Sequence, residues 1–538
     1  MFSNLKRLIR KSLTWLFNYK KAVVNLLPYS ADNLAVSLSN DYTPPRVIAS
    51  KSHFIYLKGY LSHSDMNAQI IVIENNYVNK DFLHDYTNYY SLCFKNYHKF
   101  CKRVHFFSKS YTSEEIQNII VDQENEHKDF WDAYLGFIVV KPIPVTVIGY
   151  TVLKTFIGGR DFASRNFWGL RPYKVHLFGN EVNFSSLAFQ EQDSVLAACA
   201  TTAIWVMLNK ASINVDTVLK SPSQITKDAD NVSFDGSRLF PNRKGLSIIQ
   251  ICRAIQNSGL VSEIKSDNFL LRDINGNPID SIVTCKHIKK ILSAYSPIGI
   301  PIILIIKVPS GIDYGYHAIT VSGYKQKPPV DIPPGTEVSW LSPNIEKFYA
   351  HDDQWGPFVR IEFVNDIELH TPWTEYDIGK RPTYTTSIIV PLFPKIRIAY
   401  EDIEAIVLGL DTILTLFFNT KIVSDLIWDI KIDFSENYKL SIKQSSLDTK
   451  DKLKIMTDSL PKYMWIASCY IGQHKIMEFT FDATDVVSGM IGIDVISYLP
   501  DIIRIELKQH LEINRNLQAR LFNHKQSQEY YQFFIDNL

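Results

Sequence analysis

The run IPIILIIKV, residues 300–308, constrains the fold more than any other stretch of the chain. It is rich in β-branched side chains and carries one charge, so it predicts a strand covered on both faces. Such a strand needs layers of other elements against it. Helices precede it. AACATTAIWVMLN lies within a helix predicted over 195–209. KGLSIIQICRAIQNSGL predicts a second, with Ile248, Ile249, Cys252 and Ile255 at helical spacing and a stop at Gly259. TCKHIKKILSAY predicts a third. Strands follow. HAITVSGY alternates, with His317, Ile319 and Val321 on one face, and KFYAHDDQWGPFVRIEFV reads as strand, turn, strand. Residues 185–395 are therefore expected to form an α+β domain, a helix bundle against an antiparallel sheet.

At 538 residues the chain is too long for one core. Residues 1–50 read as an N-terminal helix and a linker ending near DYTPPR, and residues 51–184 as an N-terminal α+β region. In that region HFIYLKGYL, AQIIVIEN, FWGLRPYKVHLFG and both halves of YLGFIVVKPIPVTVIGYTVLKTF predict strands. NKDFLHDYTNYYSLCFKNYHKF predicts an aromatic-rich helix, and YTSEEIQNIIVDQ another, opened by a capping box from Thr112 to Glu115. Residues 396–538 read as a C-terminal α+β domain: a helix in YEDIEAIVLGLDTILTLFF, strands in WDIKIDF, YKLSIKQ, YMWIASCYIG and IMEFTFDA, and a polar helical end.

The balance of charge, 57 Lys and Arg against 56 Asp and Glu, gives no basic excess for a nucleic-acid partner. Six scattered cysteines make no disulfide framework and imply a reducing compartment, the cytoplasm. No run of 18 apolar residues predicts a spanning helix. Leu5, Leu8, Ile9, Leu13 and Leu16 share one face of a basic N-terminal helix, which predicts packing on the body of the protein, with contact at a membrane surface as the alternative.

The stretch QEQDSVLAACATTAIWVMLNK carries the chemistry. Cys199 stands at the start of an apolar helix, where backbone amides favour a thiolate and can hold an oxyanion. Gln192, seven residues upstream, is placed to supply a second oxyanion donor; Gln190 is less well spaced. The base should be a histidine supplied by the fold. His317 follows a Gly-containing loop and starts a strand beside the buried one. In AHDDQWGP, Asp352 or Asp353 can orient its ring, and Asp352 has the better spacing to Gly356.

The order Gln, Cys, His, Asp resembles the papain-like cysteine peptidases. It looks closest to the bacterial branch that includes the double-glycine leader peptidases of bacteriocin exporters. Gln192, Cys199, HAITVSGY and DDQWG carry the likeness, which spans residues 185–395. It implies Cys199 as nucleophile, His317 as general base and acid, Asp352 as orienter and Gln192 as oxyanion donor, with no cofactor and no metal. Three features depart from the pattern. Ala200 stands where those peptidases carry Gly or Trp, the Gln-to-Cys spacing is one longer, and KQKPPVDIPPGTEVSWLSPNIE lengthens the path from His317 to Asp352.

The resemblance implies a peptidase acting on a peptide or protein. An amidase, deamidase or acyltransferase would use the same triad, and an inactive peptidase fold would serve as a binding scaffold. The flanking regions leave room for a regulatory protein partner, as in an effector switched on for defence. Cys93, His98, Cys101 and His105 have mixed Cys/His character, but their spacing is wrong for a zinc knuckle.

Overall fold

The computed structural model describes residues 24–538 apart from 123–124, 157–163, 194, 214–216, 231–244, 268, 273–277, 330–337, 419–424, 487–489 and 515–524. The expected N-terminal amphipathic helix therefore lies outside the described residues. The chain forms two compact units. The first gathers the described residues of Met1–Ile157, Arg171–Leu196 and Gln354–Gly356; the second gathers those of Gly158–Leu170, Ala197–Asp353 and Pro357–Leu538. Both are mixed α and β, and their sheets are built from antiparallel pairs apart from one short parallel pairing.

In the first unit, strands Asn25–Pro28, Ile70–Tyr77, Cys101–Phe107, Tyr134–Val140 and Ile148–Leu153 form one sheet in chain order. Arg171–Leu177 and Asn180–Ser186 form a separate hairpin. The stretch read as a linker folds: Asn25–Pro28 pairs in the sheet, and Ala31–Leu38 and Pro45–Ala49 are helices. HFIYLKGYL is helical, within Ser52–Ser62, rather than a strand. Its buried residues, His53, Phe54, Leu57, Tyr60 and Leu61, recur at helical spacing, and that period outweighs the β preference of its aromatic composition. The aromatic-rich helix stops at Asn88, and a short 3₁₀ turn follows at Tyr90–Leu92. The Thr112–Glu115 capping box forms as expected.

In the second unit, IPIILIIKV lies in strand Ile302–Ser310 at the middle of a sheet, paired on one side with Asp313–Gln326 and on the other with Tyr384–Leu392. The order continues outward through Ile345–Asp352, Gly356–Phe363 and Leu369–His370 on one side and Val261–Lys265 on the other. The helices Cys199–Ala211, Pro222–Ala229, Ile248–Gln256 and Cys285–Tyr295 belong to the same unit. From His317 to Lys325 every residue is buried, so the alternation in HAITVSGY marks no exposed face.

The C-terminal sheet, Leu426–Phe434, Tyr463–Ile471, His474–Asp482 and Gly492–Ser497, is in this unit too. Tyr295 meets Trp465 edge to face, and Lys290 pairs with Glu404. YKLSIKQ is part of helix Ser435–Gln444 rather than a strand, because Tyr438 and Ile442 are buried one helical turn apart while Leu440 is exposed. Among the described residues no helix is long and apolar enough to cross a membrane.

Candidate active site

The helix over Cys199–Ala211 starts four residues later than its hydrophobic pattern suggested, and this makes Cys199 its first residue. Its N-cap is Ala198, which has no side chain to cap with; instead the Thr201 hydroxyl accepts the Ala198 N–H at 3.2 Å. Eleven of the thirteen helical residues are buried, while Cys199 is half-buried. A half-buried thiol thus sits at the start of a largely buried helix, beside amides that have no partner within the helix.

His317 lies on the strand Asp313–Gln326, and the Thr320 hydroxyl on the same strand donates to the Ala203 carbonyl at 2.8 Å. That buried bond ties the histidine strand to the cysteine helix. His317 Nε2 is 2.9 Å from Asp352 Oδ1, and the Cys199 thiol is near enough to the same ring to favour its charged form. With Nε2 engaged by the carboxylate, Nδ1 is the ring nitrogen left to exchange a proton with a nucleophile. Burial alone pushes the imidazole pKa down. The Asp352 charge and hydrogen bond, the nearby Cys199 thiol and the Asp353 charge outweigh it, and the pKa is held well above the ordinary histidine value.

The register explains why Asp352 is the main partner. Thr320 stands opposite His351, so Asp352 falls opposite Ile319, two positions from His317 on the same pleat face. Asp353, just past the strand end, brings Oδ1 to 3.4 Å from Nε2. His317, Asp352 and Asp353 are the one group among the described residues whose donor atoms converge as metal ligands would, all within 4.8 Å. The 2.9 Å contact between His317 Nε2 and Asp352 Oδ1 is that of a hydrogen bond. The cysteine and histidine residues of the 93–105 segment do not converge in this way: Cys101 and His105 are buried in a strand, with His105 Nδ1 2.8 Å from the Tyr134 hydroxyl.

Gln192 belongs to the first unit, where its side-chain carbonyl accepts from Gln354 Nε2 at 3.1 Å. The acidic residues around it hold the segment. Glu191 pairs with Lys51 and accepts the Ile148 N–H at 3.1 Å. Asp193 accepts from the Tyr90 hydroxyl at 2.6 Å and from the Val195 N–H at 3.0 Å. The structure thus brings together Cys199, His317 and Asp352.

Sequence reasoning missed Trp373. Its indole N–H donates to Asp352 Oδ2 at 2.9 Å, and its ring meets the His317 ring at 5.2 Å between centroids. It fills the second lone-pair direction of Asp352 and covers the imidazole. TPWTEY signals a helix start at Thr371 and Pro372, but nothing local shows where the tryptophan points.

No protein-family model matches this chain, and no curated protein matches it.

Proposed function

We propose that the protein is a papain-like cysteine peptidase that cleaves a peptide or protein substrate through an acyl-enzyme intermediate. The observation that carries this reading is the gathering of the Cys199 thiol, His317 and the His317–Asp352 hydrogen bond at the N-terminus of a buried helix. In this reading His317 takes the thiol proton at Nδ1, and the thiolate attacks the substrate carbonyl. Helix-terminal amides at Cys199 stabilise the oxyanion, with Gln192 assigned as the second donor from its place in the sequence. The imidazolium then gives its proton to the leaving amine, a thioester remains on Cys199, and water activated by His317 releases the acid. All six cysteines are free, which supports the expected reducing compartment.

The test is the iodoacetamide alkylation rate against pH for wild type, Cys199→Ala and His317→Ala, with mass mapping of the modified thiol. Cys199 should react fastest and begin well below the ordinary thiol range of about 8.5, and His317→Ala should remove that advantage. A Cys199 that titrates as an ordinary thiol in wild type and His317→Ala alike overturns the reading.

A further inference from the structure

Trp373 touches both His317 and Asp352, yet it sits on a helix of only five residues, Pro372–Tyr376, which cannot hold its own position. Something must fix the segment from Thr371 to Thr383 against the sheet. At its base, Thr371, Thr374 and Thr383 share buried hydroxyl contacts of 3.0 and 3.5 Å. At its far end stands Arg381. One side of its guanidinium forks onto Asp377, with Nη2 to Oδ1 at 2.8 Å and Nε to Oδ2 at 3.1 Å. The other side donates to three successive carbonyls, Gly311 at 2.7 Å, Ile312 at 3.1 Å and Asp313 at 3.0 Å. Those carbonyls form the tight turn that leads into the histidine strand, with Gly311 at φ 60°. Tyr314, on the same strand, lies against the guanidinium at 5.4 Å.

We propose that Arg381 is a positioning residue that clamps the Trp373 segment to the turn before the histidine strand, so that the Trp373 indole is held on Asp352 and His317. The inference rests on the thiol-hydrolase reading of the site. Holding three carbonyls and a two-point contact on Asp377 at once takes five donors in a planar fork, which suits arginine and not lysine. The clamp joins the two pieces of chain that must stay in register: the turn four residues before His317 and the segment that carries the aspartate's second donor. A loosened clamp lets the indole leave. Asp352 then holds the imidazolium less firmly, and the thiolate–imidazolium pair forms only at higher pH.

The experiment measures Cys199 alkylation by iodoacetamide across pH in the full chain for wild type, Arg381→Met, Arg381→Lys, Trp373→Phe and the Arg381→Met/Trp373→Phe double variant. Hydrogen exchange across 371–383 and 310–314 is followed in the same proteins. Arg381→Met should move the onset of reactivity up by about half to one pH unit, about three- to tenfold in rate at a fixed pH below it. Exchange should rise in both segments. Arg381→Lys should rescue only part of the shift. The double variant should match Trp373→Phe alone, because Arg381 acts through the tryptophan. An Arg381→Met profile that overlays wild type, or a double variant whose shift is the sum of the two, overturns the clamp while leaving the triad standing. A wild-type profile that already equals that of His317→Ala overturns the triad and the clamp together.

Discussion

Asp352 and Asp353 are neighbours, both are buried, and both reach the same nitrogen of His317, yet the strand gives them different work. Asp352 shares a pleat face with the imidazole and receives a second hydrogen bond from Trp373; Asp353 approaches from beyond the strand end at 3.4 Å. Asp352→Asn keeps an acceptor for the ring and loses the charge that sustains the imidazolium. It should slow Cys199 alkylation at neutral pH by about ten- to a hundredfold, whereas Asp353→Asn should cost less than about threefold. The pH behaviour follows from the raised His317 pKa. A histidine whose folded pKa is raised contributes stability that is fully present below its unfolded value of about 6.5 and is lost as pH rises through the folded value. In Asp352→Asn the folded value falls, so the contribution is smaller and its loss is complete at a lower pH. NMR titration of the His317 ring protons should show it titrating well above the ordinary histidine value in wild type, and lower in the variant.

Helices and strands repeat the lesson one scale up. The glycine of the Asp-x-x-x-Gly turn is explained by space: a Cβ on Gly356 would stand 2.2 Å from Tyr56 Cδ1. The glycine of HAITVSGY has the same reason, since a Cβ on Gly323 would meet the Phe167 ring at 2.4 Å. Gly356→Ala should destabilise the protein by about 1–3 kcal/mol in chemical denaturation, and Tyr56→Ala in the same chain should recover part of the loss. Such constraints were only half legible. The central strand, the antiparallel pair with His317 and Asp352, and the helix behind Cys199 could all be read from apolar period and turn residues. The helices Ser52–Ser62 and Ser435–Gln444 were misread because short aromatic or alternating runs fit either period, and burial decided the matter. The start of the cysteine helix was misplaced because its cap is Ala198, a residue with no capping chemistry to recognise. Trp373 and Arg381 lay beyond sequence reasoning, since their partners are 21 and about 70 residues away and only the folded sheet brings them near.

At the scale of the whole molecule, the two units should answer acid differently, because burial drives His105 in the first strongly down while His317 and Asp411 in the second are held up. In the first unit His105 is fully buried between strands, beside Tyr134, Glu74 and Arg103. Burial pushes its pKa down to about 4; the Glu74 carboxylate, 3.5 Å from Nε2, pulls it back only in part, and the Arg103 charge adds to the fall. The unfolded chain therefore binds a proton that the folded unit refuses. Stability falls as pH drops below about 6.5, by on the order of 2 kcal/mol at pH 5, and levels off below about 4. In the second unit the raised His317 is still fully stabilising over that range. Asp411, whose carboxyl is pushed up to about 6 by burial although it accepts the Trp428 indole N–H at 2.7 Å, favours folding more as pH falls through that value. Acidification from pH 7.5 to 5 should thus loosen the first unit before the second. Hydrogen exchange should show protection falling in Ile70–Tyr77, Cys101–Phe107 and Tyr134–Val140 while Ile302–Ser310 and Tyr463–Ile471 stay protected. His105→Gln, which keeps a polar partner for Tyr134 and cannot take up the proton, should flatten the response of the first unit alone. Asp411→Asn should stabilise the second unit at pH 7 and give no gain at pH 4, because there the wild-type carboxyl is already neutral. Equal loss of protection in both units across this range would show that His105 does not set the acid limit of the molecule.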